Sequence, residues 1–257
     1  MGNPLTQTWR DWLRLNRDRG CDSTVLFQKA LSRGFDADAI ALELGAPELL
    51  RQAPLLDPHN RPRAWRLDTE LAQIYEIPAL LTADECTAVI SAIDQALVPS
   101  TVTRGSADYR TSRTCHLTAV DPQLTQRLDQ RFAALIGVDP ALSEPLQGQR
   151  YDPGQYFKAH TDWFAPGTDE FEQHTRIGGQ RTWTLMVYLN RVEAGGETVF
   201  ERVGRSFTPA AGYGLAWNNL QRDGRPNPAT LHEAMPVLSG RKYVITKWFR
   251  QNPGRCR

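Results

Sequence analysis

The chain has 257 residues, of which 40% are hydrophobic and 23% charged, and its formal net charge is +1. Those proportions describe an ordinary globular protein. They exclude a broad electrostatic surface for nucleic acid or anionic lipid, and no apolar run approaches the roughly 20 residues needed to span a bilayer.

The N-terminus, MGNPLTQTWRDWLRLNRDRG, lacks the uninterrupted apolar core of a signal peptide, and MGNPLT fits the myristoylation pattern only loosely. Residues 5–51 read as helical. Trp9, Trp12, Leu13 and Leu15 begin one amphipathic stretch, and Ser23-Thr24-Val25-Leu26-Phe27 begins a second. Phe35-Asp36-Ala37-Asp38 caps a third that runs through Ile40, Leu42 and Leu44 to a Gly45 stop. Residues 52–64, QAPLLDPHNRPRA, hold three prolines and suit a linker. The predicted division is a helical region with its linker over 1–64 and a second domain over 65–257.

In that domain LLTADECTAVISAIDQAL (80–97) places Thr82 as an N-cap with Glu85 three residues on, a capping box. A further helix fits DPQLTQRLDQRFAALIG (121–137). From about residue 147 the texture changes to short β-rich runs between Gly and Pro: TWTLMVYLN (182–190), ETVF (197–200), GYGLAWNN (212–219), ATLHEAMPVL (229–238) and RKYVITKWF (241–249). Their close spacing predicts a sandwich or barrel, not βαβ units. Cys21, Cys86, Cys115 and Cys256 are scattered with no C-x-x-C, so zinc-finger and dithiol motifs are excluded and reduced thiols in the cytoplasm are expected.

The chemistry begins at GQYFKAHTDWFAPG (154–167). In a strand, residues i and i+2 point to one face, so His160 and Asp162 can aim at a single point. The pair alone is a short motif of low specificity. Tetrahedral zinc would want further nitrogen or sulfur ligands, whereas two histidines and one carboxylate with open positions suit non-haem Fe(II). The remaining candidates are His116, His174 and His232. His232 lies in the β-run TLHEAMPV, where a sheet closing on itself would return it to His160; His174 lies in EFEQHTRIGG, read as a polar, solvent-exposed loop. Ten residues after His232 comes Lys242, on a strand whose Lys242, Val244, Thr246 and Trp248 share one face. An ammonium on an inward face needs an anion, and the far carboxylate of an iron-chelating α-keto dicarboxylate would serve.

With these residues in view, the stretch from about Tyr75 to Arg250 resembles the prolyl 4-hydroxylases of the Fe(II)/2-oxoglutarate dioxygenase superfamily. The motifs are RYDPGQYFKAHTDWF, GGQRTWTLMVYLNRVEAGGETVF and TLHEAMPVLSGRKYVITKWF. The resemblance implies an α+β, mainly β fold: a double-stranded β-helix (jelly roll) with supporting helices and the small N-terminal helical region. It implies His160, Asp162 and His232 as iron ligands, Lys242 on the distal carboxylate of 2-oxoglutarate, and the hydroxyls of Tyr151 and Thr184 on that same carboxylate. It further implies Arg110 and Ser112 in DYRTSR, Glu144 in SEPLQ, Arg181 in GGQR and Trp248 as substrate contacts, O2 as cosubstrate and ascorbate as reductant.

Two positions depart from the family pattern. Phe157 stands three before His160, where a tyrosine often lies, with Tyr156 one residue earlier. Arg250 stands two after Trp248 in place of a frequent histidine, where a guanidinium could clamp the carboxylate of a free amino acid. The expected activity is hydroxylation of proline in a peptide or protein. Hydroxylation of a free amino acid or other small metabolite is the alternative, and a non-catalytic jelly-roll binding module a more distant one. Asp162 argues against the related halogenases, which replace this carboxylate. No R-x5-R follows His232, which argues against the nucleic-acid demethylases.

Overall fold

The computed structural model describes residues 3–31, 33–47, 49, 64–100 and 108–253. The expected linker lies outside them but for Ala64, as do Cys256 and the first two residues of the myristoylation pattern. The chain divides into two compact units, residues 1–63 with 134–138, and residues 64–133 with 139–257. No helix among the described residues is long and apolar enough to cross a membrane.

The first unit holds α1 (Gln7–Asp18), α2 (Ser23–Leu31) and α3 (Ala37–Leu44). Thr6 caps α1 by accepting from the Trp9 N–H, and Asp36 caps α3 through Ala39. Gly45 ends α3 at φ 65°, a left-handed conformation that glycine adopts without strain. The three apolar faces meet in a core containing Leu13, Phe27, Ala30 and Ile40.

The second unit is built on strands. They are β1 (Trp65–Arg66), β2 (Ile74–Ile77), β3 (Val98–Pro99), β4 (Arg113–His116), β5 (Gln147–Tyr151), β6 (Phe157–His160) and β7 (Arg181–Tyr188). After them come β8 (Ala194–Gly195), β9 (Thr198–Phe200), β10 (Arg205–Phe207), β11 (Tyr213–Asn218), β12 (His232–Ala234), β13 (Val237–Ser239) and β14 (Lys242–Arg250). An eight-stranded sheet runs β1-β2-β11-β7-β14-β5-β4-β3, and a four-stranded sheet runs β10-β9-β12-β6. Both contribute to one core: Met186, Leu215, Trp217 and Val244 from the large sheet meet Phe200, Phe207 and Ala234 from the small one. This is the jelly roll, two facing antiparallel sheets with the site between them.

On the outer side of the large sheet, α4 (Ala83–Gln95) starts at the predicted capping box, with Thr82 and Glu85 bonded reciprocally. Its Ile93 sits so close to Gly148 of β5 that a Cβ there would meet Ile93 Cγ1 at 2.5 Å. A second helix, α5 (Pro122–Ile136), follows. β14 alternates between the two sides. Lys247 is 1% exposed and donates to Asp129 Oδ1 of α5 at 2.7 Å, while Lys242, also 1% exposed, points the other way into the roll. The EFEQHTRIGG segment forms helix α6 (Asp169–Gly178), correcting the loop assignment. Its signals were present: Thr168 as N-cap, acids in the first turn and Arg176 in the last.

Candidate active site

Sheet register brings the site together. β12 pairs antiparallel with β6 so that His232 lies directly opposite His160. Asp162 follows the end of β6, and one ligand atom from each of the three lies within 4.8 Å of the others. His160 Nδ1 donates to the Lys158 carbonyl at 2.8 Å and His232 Nδ1 to the Thr230 carbonyl at 2.9 Å. Those bonds fix the tautomers and turn both Nε2 lone pairs toward Asp162, with His232 Nε2 4.0 Å from Asp162 Oδ2. Burial and then the neighbouring His232 push the His160 pKa down to about 3, so its imidazole is neutral and able to ligate. Burial works to raise the Asp162 pKa, but His232, His160, Arg181 and the Thr184 hydroxyl outweigh it and hold the carboxyl below its ordinary range. Phe157 stacks on His160 at 3.5 Å, and Phe200 stacks on His232 at 5.2 Å, which locks the rings. Two imidazole nitrogens and one carboxylate with open positions fit non-haem Fe(II).

Beyond the triad lies an inner cavity lined by Tyr151, Thr198, Trp217 and all four predicted inward residues of β14: Lys242, Val244, Thr246 and Trp248. Lys242 sits opposite Tyr151 in register, its ammonium over the Tyr151 and Tyr188 rings at 5.2 and 5.4 Å. Among the described residues it makes no ion pair, unlike Lys247. Burial lowers its pKa to about 7 against the opposing field of Glu197. A buried ammonium without a counterion is costly, and a dicarboxylate whose far end reaches it relieves that cost. The charge at the end of the inner cavity therefore suits the far carboxylate of 2-oxoglutarate.

Thr184 is placed differently from its expected role. Its Oγ1 accepts from Asn219 Nδ2 at 2.9 Å and donates to Asp162 Oδ2 at 2.7 Å, and the residue is absent from the cavity wall beside Lys242. Its hydroxyl orients the Asp162 carboxylate. The hydroxyl residues on the cavity wall are Tyr151, Thr246 and Thr198, the last held by the Tyr188 hydroxyl at 2.6 Å. In the sequence GGETVF reads as a plain strand edge, and the one signal for Thr198 is its alternation with the core residue Phe200. Accordingly, Thr184→Val is expected to weaken Fe(II) binding roughly 10- to 100-fold, the cost of losing an outer-shell partner. It should leave 2-oxoglutarate affinity of the metal-saturated protein nearly unchanged, whereas Thr198→Val should do the reverse. Calorimetric titrations of both ligands check this.

Outside the triad a cleft of about 670 Å³ opens, its wall including Arg110, Glu144, Arg181, Glu170, Trp163 and Trp248. Arg181 forms a two-point pair with Glu144, both bonds at 2.7 Å, and lies over the Trp248 ring at 4.1 Å. Burial works to raise the Glu144 pKa, but Arg181 and Arg250 outweigh it and keep it below the usual carboxylate range. Ser112 lines neither cavity; it is buried and accepts from Arg110 Nε at 3.1 Å, so it steadies the arginine rather than a substrate. Arg250 also lines neither. Its guanidinium donates to Glu144 at 2.9 Å and to the His174 carbonyl of α6, and sits over Phe164. That engagement removes it as a clamp for a free amino acid. His174 is half-buried and stacked on Phe164 rather than solvated. Phe157 lines both cavities, and Tyr156 lines neither, so no tyrosine hydroxyl substitutes from the neighbouring position.

Residues 146–250 match the family model of the 2OG-Fe(II) oxygenase superfamily. Prolyl 4-hydroxylase subunit alpha-1 of Rattus norvegicus is 34% identical over 154 residues, covering 60% of this chain and 28% of that protein. The chain thus spans less than a third of the length of the curated relatives it matches. The crystal structure of the viral collagen prolyl hydroxylase from Paramecium Bursaria Chlorella virus-1, a 2OG complex, superposes with a TM-score of 0.53 at 23% identity, over 69% of this chain and 94% of that one. A prolyl hydroxylase from Trichoplax adhaerens, in complex with a hypoxia inducible factor oxygen degradation domain peptide fragment, gives 0.52 at 16% identity, over 69% and 83%. These structures share the jelly-roll fold. Residues 146–250 thus resemble the 2OG-Fe(II) oxygenase superfamily, and the curated relatives that the chain matches are prolyl 4-hydroxylase subunits.

Proposed function

We propose that the protein is an Fe(II)- and 2-oxoglutarate-dependent dioxygenase that hydroxylates proline in a peptide or protein. The observation that carries the reading is the joint geometry of the site: three converging ligands between a cavity ending in an unpaired ammonium and an open cleft. Residues 65–257 form the catalytic domain in this reading, with 1–64 a helical region outside the chemistry. Bound Fe(II) and 2-oxoglutarate supply O2-driven insertion of oxygen into a C–H bond, with 2-oxoglutarate converted to succinate and carbon dioxide. His160, Asp162 and His232 hold the metal on one side, and Thr184 and Asn219 keep the carboxylate turned toward it. Lys242, Tyr151 and Thr198 hold the cosubstrate, and Phe157, Phe200 and Trp217 keep water from the inner side.

Arg181 and Trp248 stand on the cleft side. Trp248 offers a flat face for a pyrrolidine ring and Arg181 offers donors to a backbone carbonyl, its orientation set by Glu144. Ascorbate is the proposed reductant. Cys21, Cys86 and Cys115 are free thiols, which supports the cytoplasmic setting we assign. Incubation of proline peptides and, separately, free amino acids with Fe(II), 2-oxoglutarate and enzyme tests the reading by mass spectrometry. A proline residue heavier by one oxygen is expected, lost with Arg181→Ala. Products confined to free amino acids would overturn it.

A further inference from the structure

Arg110 is a buried cation of unusual standing in the cleft. The residue is 8% exposed, yet its hydrogen-bond partners among the described residues are neutral. Nε donates to Ser112 Oγ at 3.1 Å, and Nη2 donates to Thr114 Oγ1 at 3.3 Å and to Gln147 Oε1 at 3.1 Å. Nη1, with two N–H donors, makes no hydrogen bond among the described residues, and Arg110 forms no ion pair there. The contrast with Arg181 and Arg250 is direct, because those two share Glu144. The groups whose field favours its charge are the Tyr151 phenol and then Asp162, and Asp162 is grouped with His160 and His232.

Three of the five guanidinium donors are thus fixed by Ser112, Thr114 and Gln147, so the remaining edge is held rigidly. Arg110 lines the outer cleft, while its field also reaches the Tyr151 hydroxyl on the wall of the inner cavity. Its guanidinium lies over the Phe157 ring at 4.9 Å, and that same ring stacks on His160. A group bound to Nη1 therefore sits one aromatic ring's breadth from a metal ligand. It belongs to the residue being hydroxylated or to its immediate neighbour. A preorganised guanidinium edge with no acid of its own selects a carboxylate over an amide, because the charge-assisted bond forms without reordering either side.

We propose that Arg110 reads a carboxylate on the substrate next to the reacting proline, supplied by a C-terminal carboxyl group or by a flanking acidic side chain. The inference rests on the proline-hydroxylase reading and narrows its substrate class. Neutral sequences around an internal proline then become poor substrates, and acidic or proline-ended ones good.

Equilibrium binding to the Fe(II)- and 2-oxoglutarate-loaded protein without oxygen tests this, followed by fluorescence of the cleft tryptophans Trp163 and Trp248. Two matched pairs are the probes: N-acetyl-alanyl-proline against its amide, and an end-blocked prolyl-aspartate against prolyl-asparagine. One acid of a pair is expected to bind on the order of tenfold or more tighter than its neutral partner. The pair that shows the preference identifies the source. In Arg110→Gln the preference should vanish, and in Arg110→Lys return in part, with circular dichroism verifying that both fold. Equal binding within both pairs by the wild-type protein would overturn the proposal, as would a preference that survives Arg110→Gln. A weakened affinity for 2-oxoglutarate itself in Arg110→Gln, with the substrate preference intact, would reassign the arginine to the cosubstrate and overturn it too. Admitting oxygen separates the two readings. An acid preference with no hydroxyproline formed sinks the proline assignment alone, while hydroxylation of both members of each pair with equal affinity sinks the Arg110 assignment alone.

Discussion

Alanine at His160, Asp162 or His232 is expected to abolish 2-oxoglutarate turnover and to remove high-affinity Fe(II) binding, while the jelly roll stays folded. The site is built by strand register, since His232 faces His160 across a β12–β6 pair whose backbone bonds do not depend on either side chain. Removing one of three ligands leaves two donors, too few to hold the ion on a site with open positions. The readout separates metal loss from misfolding. Fe(II) at one hundred times its dissociation constant should stabilise the wild type by about 2.7 kcal/mol. The variants should show near-native melting without metal and no increment with it. A His232→Ala protein that still gains stability from Fe(II) would contradict the assignment. His174 is no substitute, since its ring is stacked on Phe164 and it lines neither cavity.

The second large effect concerns Lys242. Lys242→Ala should weaken 2-oxoglutarate binding by about 3–5 kcal/mol, two to four orders of magnitude, the usual cost of leaving one member of a buried pair alone. Lys242→Arg should recover part of it. The pH dependence has a definite sign. In the ligand-free protein burial lowers the Lys242 pKa to about 7, so above that pH the amine is largely neutral. A bound carboxylate favours the ammonium and raises the pKa, so binding above pH 7 takes up a proton. Affinity should be level below about 7 and fall as pH rises beyond it, approaching tenfold per unit. Calorimetry in two buffers of different ionisation enthalpy should register the proton uptake. A flat profile from pH 7 to 9 would show that no titrating lysine faces the cosubstrate.

Much of this site was legible in the sequence because it is written in strand periodicity. Lys242, Val244, Thr246 and Trp248 on one face follow from alternation alone, and the structure places all four on the inner cavity; Asp162 stands in the bend beyond β6, so its meeting with His160 rests on that bend and not on alternation. The capping boundaries were equally local: Thr82 with Glu85, and Asp36 with Gly45. What failed was long-range. Thr184 lies on an inward strand like Tyr151, and only the sheet packing shows its hydroxyl bonded to Asp162 rather than facing Lys242. Arg250 looked like a free guanidinium because its partners, Glu144 and the His174 carbonyl, are 106 and 76 residues away. Helix α6 was passed over because a polar ten-residue segment shows little apolar stripe, although its cap and terminal charges were there. The short strands β2 and β4 lack apolar runs long enough to register before their partners are known.

With Fe(II) held by His160, Asp162 and His232 and 2-oxoglutarate held by Lys242, as proposed, one atom of O2 would be delivered to a substrate proline and the other to succinate. The most direct test is turnover of a proline peptide under isotopically labelled O2, with succinate and product quantified together. The account predicts labelled hydroxyproline and succinate in equal amounts, both absent from the Asp162→Ala protein. Hydroxyproline carrying oxygen from water, or product formed without succinate, would contradict it.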